Sequence, residues 1–233
     1  STFKSFGLVI IFGTLIGLIL EKTGAAFQLA DGIVKMIGKK RPVLAIQLMG
    51  WVVCIPVFSD SGFVIMNPVR RALVQRTGAS PVAMTIALSA GLFTSHVFIP
   101  PTPGPIAAAA NLGMEDHLLL VIGLGMLVSI PVMIVSYFFS VYIGSKIRTP
   151  ESDMIGDEDV EAAYEELRNS YNRLPSTFLS FLPIVLPIIM MGMGSIASML
   201  KWGSTGLGDL VIFLGTPMVA LFTGFLFAVL LMM

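Results

Sequence analysis

Residues 41–70 read RPVLAIQLMGWVVCIPVFSDSGFVIMNPVR. The run is apolar, and basic residues stand at both of its ends: Lys39, Lys40 and Arg41 before it, Arg70, Arg71 and Arg76 after it. Basic residues beside membrane segments stay on the cytoplasmic side. With both ends on one side, the run enters the membrane and returns. Its 28 interior residues, 42–69, would span about 42 Å as one helix at roughly 1.5 Å per residue. Folded in two, each arm reaches about 21 Å, past the middle of a hydrocarbon layer roughly 30 Å thick. The polar knot Ser59-Asp60-Ser61-Gly62 then lies at the tip of a re-entrant hairpin. Irregular backbone at that depth is tolerated only where protein buries it or water reaches it, which is the setting of a transporter site.

Composition agrees with a membrane location. Hydrophobic residues make up 55% and charged residues 12% of the chain, against about 25% charged in a soluble domain; mean hydropathy is +0.90. The formal net charge of zero gives a nucleic-acid partner no electrostatic support. The single cysteine, Cys54, leaves no internal disulfide and no multi-cysteine metal site. The fold class expected is all-α and polytopic. The sequence opens on Ser1 rather than Met and closes inside Leu230-Leu231-Met232-Met233, so a longer protein is expected.

The walk along the chain divides it into three regions. A first membrane region, 1–148, holds a span at 3–22, an interfacial helix at 25–38, the hairpin at 42–69, a broken helix at 79–112 and a span at 118–144. An acidic cytoplasmic loop follows at 149–174, with eight acids within Glu151–Glu166 and a short surface helix expected at 157–172. A second membrane region, 175–233, carries spans at 176–200 and 209–231. The broken helix follows from Ile99-Pro100-Pro101-Thr102-Pro103-Gly104-Pro105: four prolines in six residues remove backbone donors and clash with preceding carbonyls. Two half-helices are expected, 80–97 and 105–112, with Pro105 at a first helical position. Placing 22–41, 70–76 and 146–173 in the cytoplasm puts twelve of the fourteen basic residues there, all but Lys4 and Lys201. Counting spans gives the same orientation.

The chemistry concentrates at the two interruptions. Asp60 is the one carboxylate inside a membrane run; a charge at that depth costs about 2.5–3.5 kcal/mol and marks ion pathways. It is the expected proton-coupling residue. Alternatively, Asp60 or Ser61 caps a helix beginning near Phe63. Ser59, Ser61 and Gly62 offer hydroxyls and open backbone to substrate, while Asn67, ahead of Pro68, is equally a local backbone partner. Thr94, Ser95 and His96 precede the proline joint and line the same expected cavity; His96 could bind an anion or relay a proton. Thr102 and Gly104 would offer a hydroxyl and a backbone donor to a carboxylate at a half-helix N-terminus. No metal site is expected, His117 having no partner histidine at helical spacing. No nucleotide-binding loop or hydrolase motif is present, so no cofactor is expected beyond an ion gradient.

Two stretches, Pro56-Val57-Phe58-Ser59-Asp60-Ser61-Gly62-Phe63-Val64-Ile65-Met66-Asn67-Pro68 and Ser95-His96-Val97-Phe98-Ile99-Pro100-Pro101-Thr102-Pro103-Gly104-Pro105, resemble the paired signatures of the gluconate:proton symporter (gluconate permease) family. Gly38-Lys39-Lys40 and Gly215-Thr216-Pro217-Met218 resemble it too. The resemblance implies a bacterial inner-membrane secondary transporter of about twice this length, built from two inverted halves, of which this chain is mainly the first. It implies a symporter rather than an enzyme, and a gluconate-like organic acid as substrate. That family commonly has Glu at the position of Asp60 and His at that of Thr102, so a related hydroxy acid or sugar acid suits this chain equally. A sodium-coupled carboxylate transporter is the nearest alternative. An intramembrane enzyme using Asp60 and His96, or a passive scaffold, is remote. Folds of this kind often dimerise, and a homodimer is compatible with the sequence, as is the lipid bilayer as its surroundings.

Cysteines introduced at Arg41 and at Arg70 are expected to react with an impermeant thiol reagent from the cytoplasmic side only. Labelling from opposite sides would make residues 42–69 an ordinary crossing.

Overall fold

The computed structural model describes residues 2–33, 37, 40–55, 57–114, 117–147, 165, 168–169, 171, 174–200, 202 and 206–231. Its elements are α1 (Thr2–Lys22), α2 (Ala25–Ile33), α3 (Pro42–Val53), α4 (Ser59–Thr77), α5 (Pro81–Phe98), α6 (Pro103–Asn111), α7 (Leu118–Lys146), α8 (Thr177–Met199), α9 (Gly206–Leu214) and α10 (Pro217–Leu230). No strand occurs among the described residues, as the all-α reading requires. Three stretches there are long and apolar enough to cross a membrane: Pro81–Asn111, Leu118–Lys146 and Thr177–Ser198. The chain is a multi-pass membrane protein.

The turn between α3 and α4 is shorter than the sequence suggests. Ser59 and Asp60 already belong to α4, with Phe58 as N-cap, so the helix begins four residues before Phe63 and no side chain caps it. The N-cap reading of Asp60 and Ser61 is therefore wrong: Asp60 sits in the first turn, after the cap position. α4 also runs on to Thr77, where Gly78 at φ 65° closes it. The proline-rich element divides as expected, but at Ile99–Thr102. Pro103 and Pro105 lie inside the first turn of α6, where a missing N–H removes no intrahelical bond.

Two further differences stand out. The span expected at 209–231 is two helices, α9 and α10, bent by 66° at Gly215-Thr216. Pro217 starts α10 just as Pro103 starts α6. The expected helix at 25–38 is described as α2 over Ala25–Ile33; most of 34–39 lies outside the described residues. Rather than floating on a surface, α2 buries Ala26, Phe27 and Leu29 in the core beneath α3 and α4. The expected surface helix at 157–172 lies mostly outside the described residues. Tyr171 packs its ring on Phe27, centroids 6.2 Å apart. Burial and the Glu21 carboxylate push its phenol up.

α5 is the centre of the bundle, packed against α3 on one side and α7 on the other. Without a hydrophobic driving force between helices in lipid, close approach is bought by small residues. A Cβ at Gly91 would collide with the Gln47 carbonyl. One at Gly50 would stand 2.8 Å from the Leu88 carbonyl. Gly125 lies on the Phe98 carbonyl and Gly144 on Ala83, so α7 is seated on α5 at both ends. Gly123 faces open space.

Gly91→Leu is expected to force α3 off α5 and to cost about 1–3 kcal/mol or more, read as a lower thermal midpoint or lost folded yield in detergent. Gly123→Ala is expected to leave the midpoint unchanged.

Candidate functional site

The two interruptions of the backbone meet. Ile55, in the α3–α4 turn, and Ile99, in the α5–α6 joint, belong to one buried cluster with Leu118 and Ile122 of α7, Met191 of α8 and Ala220 of α10. Above it, Val57 and Phe58 of the turn share a cleft with Pro101, Thr102 and Pro103 of the joint and with Gly13 and Thr14 of α1. The cleft encloses only about 10 Å³, space for about one water molecule. A six-carbon acid does not fit inside it, so a substrate would have to lie on the open side of the two tips.

The expected carboxylate does not line this cleft. Asp60 is exposed, and so is Gly104, whose Cα has open space around it. Asp60 acts electrostatically on His96. The His96 ring lies tilted against Phe58, centroids 5.8 Å apart, and its Nδ1 is buried with no hydrogen-bond partner. The α4 and α6 N-termini both lack a capping side chain. Unpaired N–H groups at helix starts attract anions.

The remaining candidates divide by how their hydroxyls are used. Ser59 is buried, Ser61 half-buried, and Gly62 buried against Leu92, 2.9 Å from where its Cβ would be. Thr94 donates to the Ala90 carbonyl at 2.6 Å. Ser95 donates toward the Gly91 and Leu92 carbonyls at 3.4 and 3.2 Å. Thr102 donates to the His96 and Ile99 carbonyls at 2.8 and 2.9 Å. Thr94 and Ser95 bond back onto carbonyls within α5, whereas Thr102 reaches the two carbonyls at the break, where irregular backbone otherwise leaves them bare. Asn67 accepts from Arg70 Nε at 2.9 Å, a local bond to a side chain rather than to the backbone. Cys54 is buried and donates to the Val57 carbonyl at 3.0 Å, bracing the turn from inside.

Gly13 went unremarked in the sequence. A Cβ there would stand 3.0 Å from Pro101 Cβ, so glycine lets α1 close on the joint. The signal was Gly13-Thr14, a small-polar pair in the middle of an otherwise apolar span.

Apolar helices broken at two adjoining points, with a carboxylate and an imidazole beside them, define a polytopic membrane protein of the transporter class. The GntP family permease model matches residues 1–233, and the chain belongs to that family. It is similar to an inner membrane permease, YgbN, of Escherichia coli, 31% identical over 93% of this chain and 48% of that protein. The Gnt-II system L-idonate transporter of Escherichia coli is 28% identical over 98% of this chain and 50% of its own length. A gluconate permease of Zymomonas mobilis is 29% identical over 91% and 46%. The chain spans about half the length of these curated relatives. No solved structure matches. The family is one of permeases rather than enzymes, and its members' names with the apolar helices place this chain in the inner membrane.

Thr102→Val is expected to leave two carbonyls at the break without their donor and to cost about 1–3 kcal/mol. Thr102→Ser keeps the hydroxyl and is expected to hold the wild-type midpoint, both read by thermal unfolding.

Proposed function

We propose that the protein imports gluconate or a related sugar acid across the inner membrane, driven by protons. One observation carries this reading: the uncapped starts of α4 and α6 flank a single cleft, and Asp60 stands exposed in the first turn of α4. The open N–H groups of Ser59, Asp60 and Ser61, together with that of Gly104, suit the carboxylate of the substrate. Hydroxyls farther along the sugar acid would reach Ser59, Ser61 and the imidazole of His96. Thr94, Ser95 and Thr102 act one step back, holding the break in shape. Asp60 carries the coupling proton, with His96 as its neighbour. Re-entrance of α3 and α4 brings the tip to mid-membrane, because α3 is 12 residues long, about 18 Å at 1.5 Å per residue. This is too short to cross roughly 30 Å.

The named relatives support the substrate class, since one is an L-idonate transporter and another a gluconate permease. Sodium coupling is less well supported. The His96 and Ile99 carbonyls, which a sodium ion would use at the break, are engaged by Thr102.

Asp60→Asn in the full-length protein is expected to abolish accumulation of labelled gluconate or idonate under an imposed pH gradient while retaining exchange of substrate at equilibrium. Asp60→Glu is expected to keep accumulation. Full accumulation by Asp60→Asn, or accumulation that follows a sodium gradient and ignores pH, would overturn the proton reading.

A further inference from the structure

A second cavity lies away from the two breaks. α3 and α7 both pack on α5 and leave between them a groove of about 470 Å³, within the range of sites that hold drug-sized molecules. Arg41 stands at the end where α3 begins, and Trp51 lines the groove ten residues further on. That length is about 15 Å at 1.5 Å per residue, the depth of one leaflet of a hydrocarbon layer roughly 30 Å thick. Between the two, the walls are Leu44, Leu48, Ile130 and Ile134. Ile130 and Ile134 are 53% and 52% exposed, so the groove opens sideways from the bundle.

The groove is not purely apolar. Gln47 is fully buried; its amide donates to the Met133 carbonyl at 2.9 Å and to Ser136 Oγ at 2.7 Å. Its Oε1 is buried without a partner, and so is Trp51 Nε1, one helical turn on. An acceptor and a donor one turn apart match a hydroxyl-sized group that accepts from Trp51 and donates to Gln47. A sugar acid would find too little to hydrogen-bond among these walls. A second copy of the chain would leave the Arg41 guanidinium to be matched by an acid of its partner, and α7 ends in basic Lys146 with no acid along its length.

We propose that this groove binds an anionic phospholipid of the cytoplasmic leaflet. Its phosphate rests on the Arg41 guanidinium, and one acyl chain lies between Leu48 and Ile134. Basic residues at the cytoplasmic ends of membrane helices recognise such headgroups, and Arg suits phosphate by its two-pronged geometry.

The test is lipid binding to the full-length protein in detergent, by native mass spectrometry and by thermal shift, with phosphatidylglycerol, phosphatidylcholine and inorganic phosphate as probes. The expected result is a preference of about fivefold for phosphatidylglycerol over phosphatidylcholine, the worth of one basic residue at an anionic surface. Inorganic phosphate is expected to have no effect. Arg41→Gln, at an exposed position, is expected to bring the preference to about one without lowering the midpoint in detergent alone. Leu48→Trp, which fills the groove, is expected to weaken both lipids. Equal binding of the two lipids by the wild type, or a preference that survives Arg41→Gln, would overturn the proposal. So would reproduction of the effect by inorganic phosphate. A lipid response seen only as monomers become dimers, and kept by Arg41→Gln, would assign the groove to a second copy instead.

Discussion

Two interruptions of the helical backbone come together in one buried cluster, where Ile55 and Ile99 join Leu118 and Ile122 of α7, and the rest of the architecture serves that junction. In hydrocarbon, every broken turn leaves carbonyls and N–H groups that water cannot reach. The carbonyl side is satisfied here from within. Thr102 closes the end of α5, and Cys54 braces the Val57 carbonyl in the α3–α4 turn. No side chain caps the starts of α4 and α6. Helix starts without capping side chains favour negative charge, which is why the proposed site is read as one for an anion.

Holding such a junction in place demands that α5 not move. Glycines at its contacts with α3 and α7 let backbones touch, which gains many weak dispersion contacts where lipid offers little else to drive association. α1 completes the enclosure through Gly13 on Pro101. The same packing of α3 and α7 onto α5 leaves the lateral groove at Arg41, so that groove and the candidate substrate site share one structural cause. α10 reuses the device: Thr216 donates to the Phe213 carbonyl at 2.7 Å ahead of Pro217, as Thr102 does to Ile99 ahead of Pro103.

Much of this was legible in the sequence because prolines and charges act locally. The basic residues around 41 and 70 pointed to a folded-back pair of arms, and the prolines from 100 to 105 pointed to a broken helix. The break falls at Ile99–Thr102, within the proline-rich stretch that pointed to it. What was not legible depends on contacts made across the fold. Gly13 matters only because Pro101 lies opposite it. The 66° bend at Gly215-Thr216 went unseen because a single proline at 217 also suits a continuous span. The hydroxyls of Thr94, Ser95 and Thr102 looked like substrate contacts, since composition cannot distinguish a hydroxyl facing a cavity from one bonded to the preceding turn. α4 was placed too late because Asp60 and Ser61 read as capping residues, whereas the turn before them leaves Phe58 at the cap.

The central claim is that the tip of α4 and the start of α6 form one binding surface. Single cysteines at Phe58 and at Gly104, each in a full-length Cys54→Ala background, would report on it by their rates of thiol labelling in membranes. The account predicts that a transported sugar acid protects both positions with the same half-saturating concentration. Protection of one position alone, or of neither at saturating substrate, would contradict it.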